Sequence, residues 1–313
     1  MDKSPPSSKD NQMQTKSISK QVFPKTLEEF KSRFQDKKTS LEYLFAKRWP
    51  NGFICPYCSW HNQDLAPTKS MVCKNCGHPT SITTNTIMHG TKKPLSQWLI
   101  CIWWLSSSTG GYSAKNLQRL LNLASYQTAW TWLQKLRMAM SIADNKKCIK
   151  TVEISSGSIL LGGESSSKSK ILAAAEVILP AGFTGRIKMA SIESLDTNTV
   201  NNFLYDYVEK GSSLIIPKDE CYKDIDRNDF ISVSSPTMDR TRQIIESFEL
   251  WIHTIHRGGI AAKHLQLYLD EFCFHYNAAM LPNQEAVFDL LLSGVLSKKS
   301  LSYKSITSQS TKR

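Results

Sequence analysis

The sequence lacks any hydrophobic run long enough to cross a membrane. Its longest apolar run, residues 98–105, is far shorter than the roughly 20 residues that a membrane-spanning helix needs. The polar residues 1–20 also lack the apolar segment of a secretion signal. These absences predict a cytoplasmic protein, in which thiols stay reduced. The eight cysteines are therefore expected to be metal ligands or buried thiols before disulfides.

Acidic residues are scarce in the first half of the chain. Residues 1–150 contain 22 lysines and arginines against 8 aspartates and glutamates, a balance of +14, whereas residues 151–313 contain 17 and 19, a balance of −2. A soluble surface does not require this asymmetry, but clustered cations neutralise phosphates. The first half is therefore expected to bind nucleic acid, and the protein to associate with the nucleoid.

Length and composition indicate more than one globular domain. The 313 residues are about twice a typical domain of roughly 150 residues, and 41% hydrophobic with 21% charged residues excludes wholesale disorder and a collagen-like chain. Residues 1–21 are rich in serine, lysine, proline and glutamine and predict a disordered basic tail. Residues 297–313 are expected to be a flexible C-terminal tail.

The spacing of apolar residues changes near residue 150. Before it, spacing of three and four predicts helices, for example over residues 94–106. After it, short runs predict strands, which are followed by helices toward the C-terminus. The chain is thus predicted to be multidomain α/β. The first predicted domain, over 22–90, has preceding helices and two Cys-x2-Cys pairs that indicate a zinc ribbon. A helical region over 91–143 and a mixed α/β domain with a helical C-terminus over 150–296 follow.

Two cysteine pairs carry the strongest local signal. Cys55-Pro-Tyr-Cys58 and Cys73-Lys-Asn-Cys76 have the spacing at which four thiolates can converge on one tetrahedral zinc ion. Redox-active pairs or buried thiols are the alternatives, and His61 or His78 could replace one sulfur. Because a ribbon has little core, the zinc would be structural and would contribute on the order of 10 kcal/mol to folding.

Residues 113–140 predict two helices joined by a short turn, which is typical of a helix-turn-helix. An ordinary helical hairpin is the alternative. In the DNA-binding interpretation, a serine caps the second helix, its first turn faces base edges, and basic residues further along contact phosphates. The residues expected to contact DNA are Ser125, Gln127, Thr128, Lys135 and Arg137.

The order of motifs along the chain resembles that of zinc-ribbon insertion-sequence transposases. In the first half the resemblance rests on the two cysteine pairs and on residues 86–88, 94–98 and 128–130. In the second half it rests on residues 152–154, 162–163, 185–187, 211–213, 251, 256–258, 263–266 and 268–272.

The resemblance covers residues 25–295. It implies an RNase H-like DDE domain, which cuts and joins DNA with two divalent ions, Mg²⁺ or Mn²⁺. It also implies double-stranded DNA, namely terminal inverted repeats, as the partner and homo-oligomers as the assembly.

The catalytic positions depart from the family's pattern. The resemblance implies a first metal ligand at Ser155, where the family has aspartate, and a second at Asp219. The third falls at Ser247, with Glu246 beside it, and Glu249 replaces a nearby lysine. Two carboxylates therefore remain as residual ligands, although a solvated loop carboxylate is the alternative for Asp219. Serine is a neutral, poor ligand for magnesium.

A basic segment after the third position keeps the family's pattern. The resemblance implies that His256, Arg257 and Lys263 contact DNA phosphates, with a structural role at the start of a helix as the alternative. Three hypotheses for function follow. The leading hypothesis is a transposase-like DNA-binding protein with impaired or lost strand transfer. The others are an active DDE transposase and a zinc-stabilised scaffold that binds protein partners.

Overall fold

The structure is a computed structural model that describes residues 22–63, 65–68, 70–107, 111–162, 168–179, 183–233, 239–257 and 259–297. The predicted tail over 1–21 and residues 298–313 of the predicted C-terminal tail lie outside this part. The chain divides into two compact units, which meet in sequence between Ser107 and Ser108, and the first also takes up the end of the last helix from Val295. The boundary predicted near residue 150 falls inside the second unit.

The first unit is built from short elements. Its helices are α1 (Leu27–Arg33), α2 (Lys37–Arg48) and α3 (Leu95–Ser106). Two antiparallel hairpins lie between α2 and α3 in sequence, β1 (Phe53–Ile54) with β2 (His61–Asn62), and β3 (Met71–Val72) with β4 (Pro79–Thr80).

Aromatic side chains form the core of the first unit. Phe30 lies 4.7 Å from Phe34 and 5.7 Å from Trp103, measured between ring centroids. Trp98 and Trp103 are buried, and Trp103 donates its indole N–H to the carbonyl oxygen of Pro24 at 3.2 Å. Trp98 and Trp103 of α3 therefore fill the core, as their helical spacing indicates, whereas Trp104 is half-buried.

The second unit begins with a helix pair and continues into a sheet. The pair is α4 (Ala114–Leu120) and α5 (Tyr126–Ala143). The sheet contains β5 (Thr151–Leu160), β6 (Lys168–Ile178), β7 (Phe183–Ile192), β8 (Ser213–Ile215) and β9 (Ile231–Val233). The remaining helices are α6 (Thr197–Tyr207), α7 (Arg240–Ile255), α8 (Leu265–Ala278) and α9 (Gln284–Leu296).

The five strands form one mixed sheet in the order β7-β6-β5-β8-β9. Strands β5, β6 and β7 are antiparallel neighbours, whereas β8 lies parallel to β5, and β9 lies parallel to β8. The predicted mixed α/β class is therefore confirmed. Strand β9 was not predicted, because its three residues are too few for a periodic pattern.

Each face of the sheet buries a separate core. Val152 and Ile154 of β5 pack with α6, whereas Ile159 packs with Ile245 and Phe248 of α7. Because alternate residues of a strand face opposite sides, Glu153 and Ser155 lie on the α7 side. The sequence predicts two strands over 151–154 and 158–161, but β5 is a single strand, because its serines and Gly157 break the apolar pattern without ending the backbone pairing.

The helices contain no candidate for a membrane span. Within the described ranges, none of them is both long enough and apolar enough to cross a bilayer.

Candidate functional site

The two cysteine pairs adopt the same backbone turn. In the first, the amide of Ser59 donates to the carbonyl oxygen of Cys55, and in the second, the amide of Gly77 donates to that of Cys73, both at 2.9 Å. Ser59 and Gly77 both have positive φ, 59° and 70°. The two hairpins therefore present their thiols from equivalent turns, which we call knuckles.

The four thiols converge on one point. Their sulfur atoms all lie within 4.8 Å of one another, with Cys55 Sγ 3.7 Å from Cys76 Sγ, and Cys58 Sγ 3.6 Å from Cys73 Sγ. The cysteines are free thiols. Each knuckle supplies two sulfurs, so the set has the composition of a tetrahedral site with four cysteine ligands. The cluster fits a zinc ribbon, and its sulfurs could hold a zinc ion.

The thiols differ in how readily they lose a proton. The amide of Trp60 and the side-chain amide of Asn75 lower the pKa of Cys58 to about 6. The amide of His78 acts in the same direction on Cys76, but burial and the neighbouring thiols outweigh it and raise the pKa of Cys76 to about 12. A divalent cation between the sulfurs would lower the pKa of all four thiols, because it stabilises every thiolate at once.

The two histidines near the cluster have other partners. The ring of His61 lies with Nε2 2.6 Å from the carbonyl oxygen of Asn51, and the ring of His78 stacks on Tyr57 at 4.5 Å. Among the described residues, the four cysteines are the only group of three or more metal-ligating side chains that comes together in this way.

A hydrogen-bonded chain occupies the predicted first catalytic position. The hydroxyl of Ser155 donates to Thr241 Oγ1 at 2.7 Å, and Thr241 Oγ1 in turn donates to Glu153 Oε1 at 2.9 Å. The carboxylate of Glu153 is fully buried, accepts the amide of Thr241 at 2.9 Å, and lies 3.4 Å from Arg240 Nη1. Strand β5 is thus bonded to the first turn of α7.

The predicted second catalytic position, Asp219, is not part of these hydrogen bonds. The parallel register pairs Glu153 of β5 with Ile215 of β8. Continuing that register by two residues would put Pro217, not Asp219, beside Ser155. Asp219 is exposed and precedes a short 3-10 helix, Glu220–Tyr222. The described residues do not unite Asp219 with two other carboxylates in a compact group.

Of the third set of predicted positions, Ser247 and Glu246 lie on the exposed side of α7, whereas Glu249 is half-buried beside the end of β5. Ser247 is exposed and donates its hydroxyl to the carbonyl oxygen of Gln243 at 2.7 Å, one turn back in the helix. Glu246 is exposed and lies 4.0 Å from Arg242. Glu249 accepts the amide of Leu160 at 2.9 Å. The side of α7 that packs on the sheet carries Thr241, Ile244, Ile245 and Phe248.

Part of the second unit matches a known family model. Residues 144–277 match the model of the ISXO2-like transposase domain. The matched segment extends from the end of the helix pair through the sheet to the end of α8. We call residues 144–277 the transposase domain, after the family model that they match. No curated protein matches the chain.

The exposed part of the helix pair precedes the transposase domain. Ser125 stands at the start of α5 and is exposed, but its side chain makes no capping hydrogen bond. Gln127 is exposed and Thr128 half-buried in the first turn. These three residues therefore lie at an accessible helix start, which is where a helix-turn-helix presents its contacts.

The two basic residues predicted on α5 are less accessible. Lys135 is half-buried, and burial lowers the pKa of its ammonium group. Arg137 is 2% exposed and pairs with Glu271 of α8, Nε to Oε2 at 2.6 Å. The prediction that Arg137 lies along DNA phosphates must be corrected, because its guanidinium is enclosed in protein and already neutralised.

The predicted DNA-contacting residues after α7 also differ in accessibility. Arg257 and Lys263 are exposed at the surface of the transposase domain. The ring of His256 instead packs edge-on against Tyr268 at 4.8 Å, and burial, with a smaller contribution from Arg137, lowers its pKa to about 4. His256 is therefore uncharged at neutral pH and does not offer a cation to phosphate.

Sequence reasoning missed three residues that organise these sites. Asn75 donates to Cys58 Sγ at 3.6 Å, although it is only a spacer in the cysteine motif. Thr241 and Arg240 bind Glu153, yet they are 88 and 87 residues away in sequence. The sequence did contain one signal for the partners of Glu153, because a glutamate between apolar residues of a strand requires a buried partner.

Proposed function

We propose that this protein binds DNA in the manner of a transposase, recognises insertion-sequence ends, and has impaired or lost metal-dependent strand transfer. The observation that carries the proposal is the hydrogen-bonded chain Ser155–Thr241–Glu153. It stands where the resemblance expects a carboxylate ligand, and it binds the one buried carboxylate nearby to protein groups.

The loss of chemistry follows from ligand requirements. Two divalent ions need several anionic oxygens, and magnesium demands near-ideal octahedral geometry. Glu153 Oε1 already accepts two hydrogen bonds from Thr241, and Oε2 faces Arg240, so releasing it for a metal would break the start of α7. Asp219 alone cannot hold two ions, since its carboxylate supplies a single negative charge.

The order of strands supports an RNase H-like arrangement of the transposase domain. Three antiparallel strands, β5 to β7, are followed by a helix and by two strands parallel to β5. This arrangement places β5 in the middle of the sheet, with Ser155 facing α7. This strand order supports the proposal that the scaffold which the resemblance implies is retained while residues on it have changed.

The basic first half and the helix pair support DNA binding. Lys115 and Arg119 are exposed on α4, close in sequence to the exposed start of α5 at Ser125 and Gln127. A helix pair joined by five residues, with an exposed second start, is suited to the major groove. Arg257 and Lys263 would add phosphate contacts from the transposase domain. We further propose that the four cysteines bind one structural zinc ion.

The proposal is tested with the full chain and duplex DNA from both flanks of its gene. We expect binding that weakens strongly as salt rises, because phosphate neutralisation releases counterions. We also expect no cleavage of the same DNA in magnesium or manganese. Arg119→Gln should weaken binding, whereas Arg242→Gln, an exposed arginine on α7, is the matched control.

Each contrary result identifies a different hypothesis. Cleavage that requires magnesium and disappears in Asp219→Ala would establish an active transposase whose ligands rearrange on binding DNA. Absence of salt-dependent binding would favour the zinc-stabilised scaffold that binds protein partners.

A further inference from the structure

Helices α5 and α8 lie side by side with a constant register. Trp130 contacts His264 edge-on at 5.3 Å between ring centroids, and Arg137 pairs with Glu271. In each pair the two residues are 134 positions apart in the sequence. Just beyond α5, Asp144 accepts from the side-chain amide of Asn277 at 2.8 Å, with a separation of 133 residues. The two helices therefore run in the same direction and meet along matching stripes.

The centre of this interface is polar. Arg137 is 2% and Glu271 1% exposed, and the guanidinium carbon of Arg137 lies 4.0 Å from the centroid of the Tyr268 ring. Gln134 precedes Arg137 by three residues on α5, and His275 follows Glu271 by four on α8, so each lies on the same stripe as its neighbour. Gln134 is 1% and His275 5% exposed.

This cluster contains buried polar atoms without a protein partner. Of the buried side-chain atoms that have no hydrogen-bond partner among the described residues, six belong to this cluster. They are Gln134 Nε2, Gln134 Oε1, Arg137 Nη2, Glu271 Oε1, His275 Nε2 and His256 Nε2. His256 joins the cluster through Tyr268, which its ring contacts at 4.8 Å. An unsatisfied buried polar atom costs about 1–3 kcal/mol, so partners from outside the protein would stabilise a cluster of six.

The chemistry of the six atoms selects the partner. The cluster includes donors and acceptors, and the charges of Arg137 and Glu271 cancel. A net-neutral site has no preference for an ion of either sign. The two histidines and Glu271 also do not come together as a metal-ligating group among the described residues. Water can donate and accept at once, and buried water typically makes about three such bonds.

We infer that the α5–α8 interface contains a site for internal water molecules, which bridge Arg137 and Glu271 to Gln134, His275 and His256. The site connects the last turns of the helix pair to the transposase domain through hydrogen bonds rather than apolar packing. This inference does not depend on the proposed function.

A neighbouring cleft shares one residue, His275, with the cluster. His275 lines a cleft of about 410 Å³ together with Thr184, Trp251, Phe272 and Tyr276. His275 therefore belongs both to the lining of the cleft and to the cluster, one helical turn from Glu271.

A crystal structure of the full chain tests the inference directly. We expect ordered water molecules between α5 and α8, each within hydrogen-bonding distance of at least two of the six atoms. The inference is overturned if the density holds no water there, or if the side chains rotate and satisfy one another.

Thermal unfolding of Gln134→Leu provides a second test, since leucine removes two polar atoms at similar volume. If water satisfies Gln134, the change deprives that water of partners, and the Tm should fall by about 2–4 °C. If Gln134 is truly unsatisfied, leucine should raise the Tm, and a raised or unchanged Tm overturns the inference. Met138→Leu, a buried apolar exchange on the same helix, is the control and should leave the Tm unchanged.

Discussion

The hydroxyl of Thr241 accepts a hydrogen bond from Ser155 and donates one to Glu153, at 2.7 and 2.9 Å. The amide of Thr241 donates to the same carboxylate, and the side chain of Asp239 makes no capping bond. Glu153 therefore caps α7 from a neighbouring strand. The carboxylate near the expected metal site therefore accepts a backbone amide at the start of a helix, where the first amides have no partner within the helix.

We expect Thr241→Val to destabilise the transposase domain by about 1–3 kcal/mol, because it removes the hydroxyl that both Ser155 and Glu153 require. Valine preserves the shape, so the loss reports the hydrogen bonds. Urea unfolding measures the change. Thr254→Val is the control, since that hydroxyl is exposed and bonds only to the carbonyl oxygen of Leu250 in its own helix. Equal effects of the two substitutions would contradict a special role for Thr241.

Introducing the aspartate that the resemblance implies at position 155 should not create a metal site. In Ser155→Asp, two carboxylates would face α7 two residues apart, and the single Thr241 hydroxyl could donate to one of them. We expect a loss of about 1–3 kcal/mol in unfolding free energy, with no recovery in magnesium. Ser158→Asp, an exposed site on the same strand, should change stability little. A magnesium-dependent rise in the Tm of Ser155→Asp would show that ligands are nearer than the register indicates.

The cysteine cluster was predictable because its information is local. Two residues separate the cysteines of each pair, and a turn of that length fixes the direction of both sulfurs whatever surrounds it. The same locality made Trp98 and Trp103 of α3 predictable as core. Neither case depends on residues far away in the sequence.

Arg137 and Glu153 were not predictable for the opposite reason. Arg137 sits among apolar residues of α5 and has the sequence appearance of a basic residue on a DNA-binding helix. Its burial depends on Glu271, 134 residues later. Likewise, the role of Glu153 depends on Thr241, 88 residues later. Sequence spacing gives the face of an element, but the partner of a buried charge is set by tertiary packing.

We expect Cys73→Ser to abolish zinc binding and to unfold the first unit, because a structural zinc contributes on the order of 10 kcal/mol in a small ribbon. Elemental analysis should give one zinc per chain for the native protein and none for the variant. Cys221→Ser is the control, since Cys221 belongs to the transposase domain and is not one of the four clustered cysteines, and this variant should retain one zinc. A native protein without zinc would refute the assignment.

Stability should fall in acid through His256. Burial and, to a lesser extent, Arg137 lower its pKa from 6.5 to about 4, and Glu271 opposes them. Unfolding therefore takes up a proton between these values, so this contribution is complete above pH 6.5 and is lost as the pH falls to about 4. The loss should reach about 3 kcal/mol. Burial also lowers the pKa values of His264 and His275, which act in the same direction.

Urea unfolding at pH 7.5 and 4.5 measures this loss. We expect His256→Phe to reduce the difference between the two pH values, because phenylalanine takes up no proton. His253→Phe, at an exposed position of α7, should leave the difference unchanged. If both variants retain the full difference, other groups cause the acid sensitivity.

Gly294 of α9 should tolerate no larger residue. A Cβ atom there would collide with the carbonyl group of Ala139 on α5 and lie 3.1 Å from the Cβ of Ala143. Helix propensity alone predicts that Gly294→Ala stabilises by about 1 kcal/mol, whereas the collision with backbone predicts destabilisation by about 3 kcal/mol. The sign of the change in unfolding free energy therefore decides between them.

In Gly157→Ala, the new Cβ would lie 2.9 Å from the flexible end of Ile245, so that variant should lose less than about 1 kcal/mol. A stabilised Gly294→Ala would mean that α9 does not pack this closely on α5.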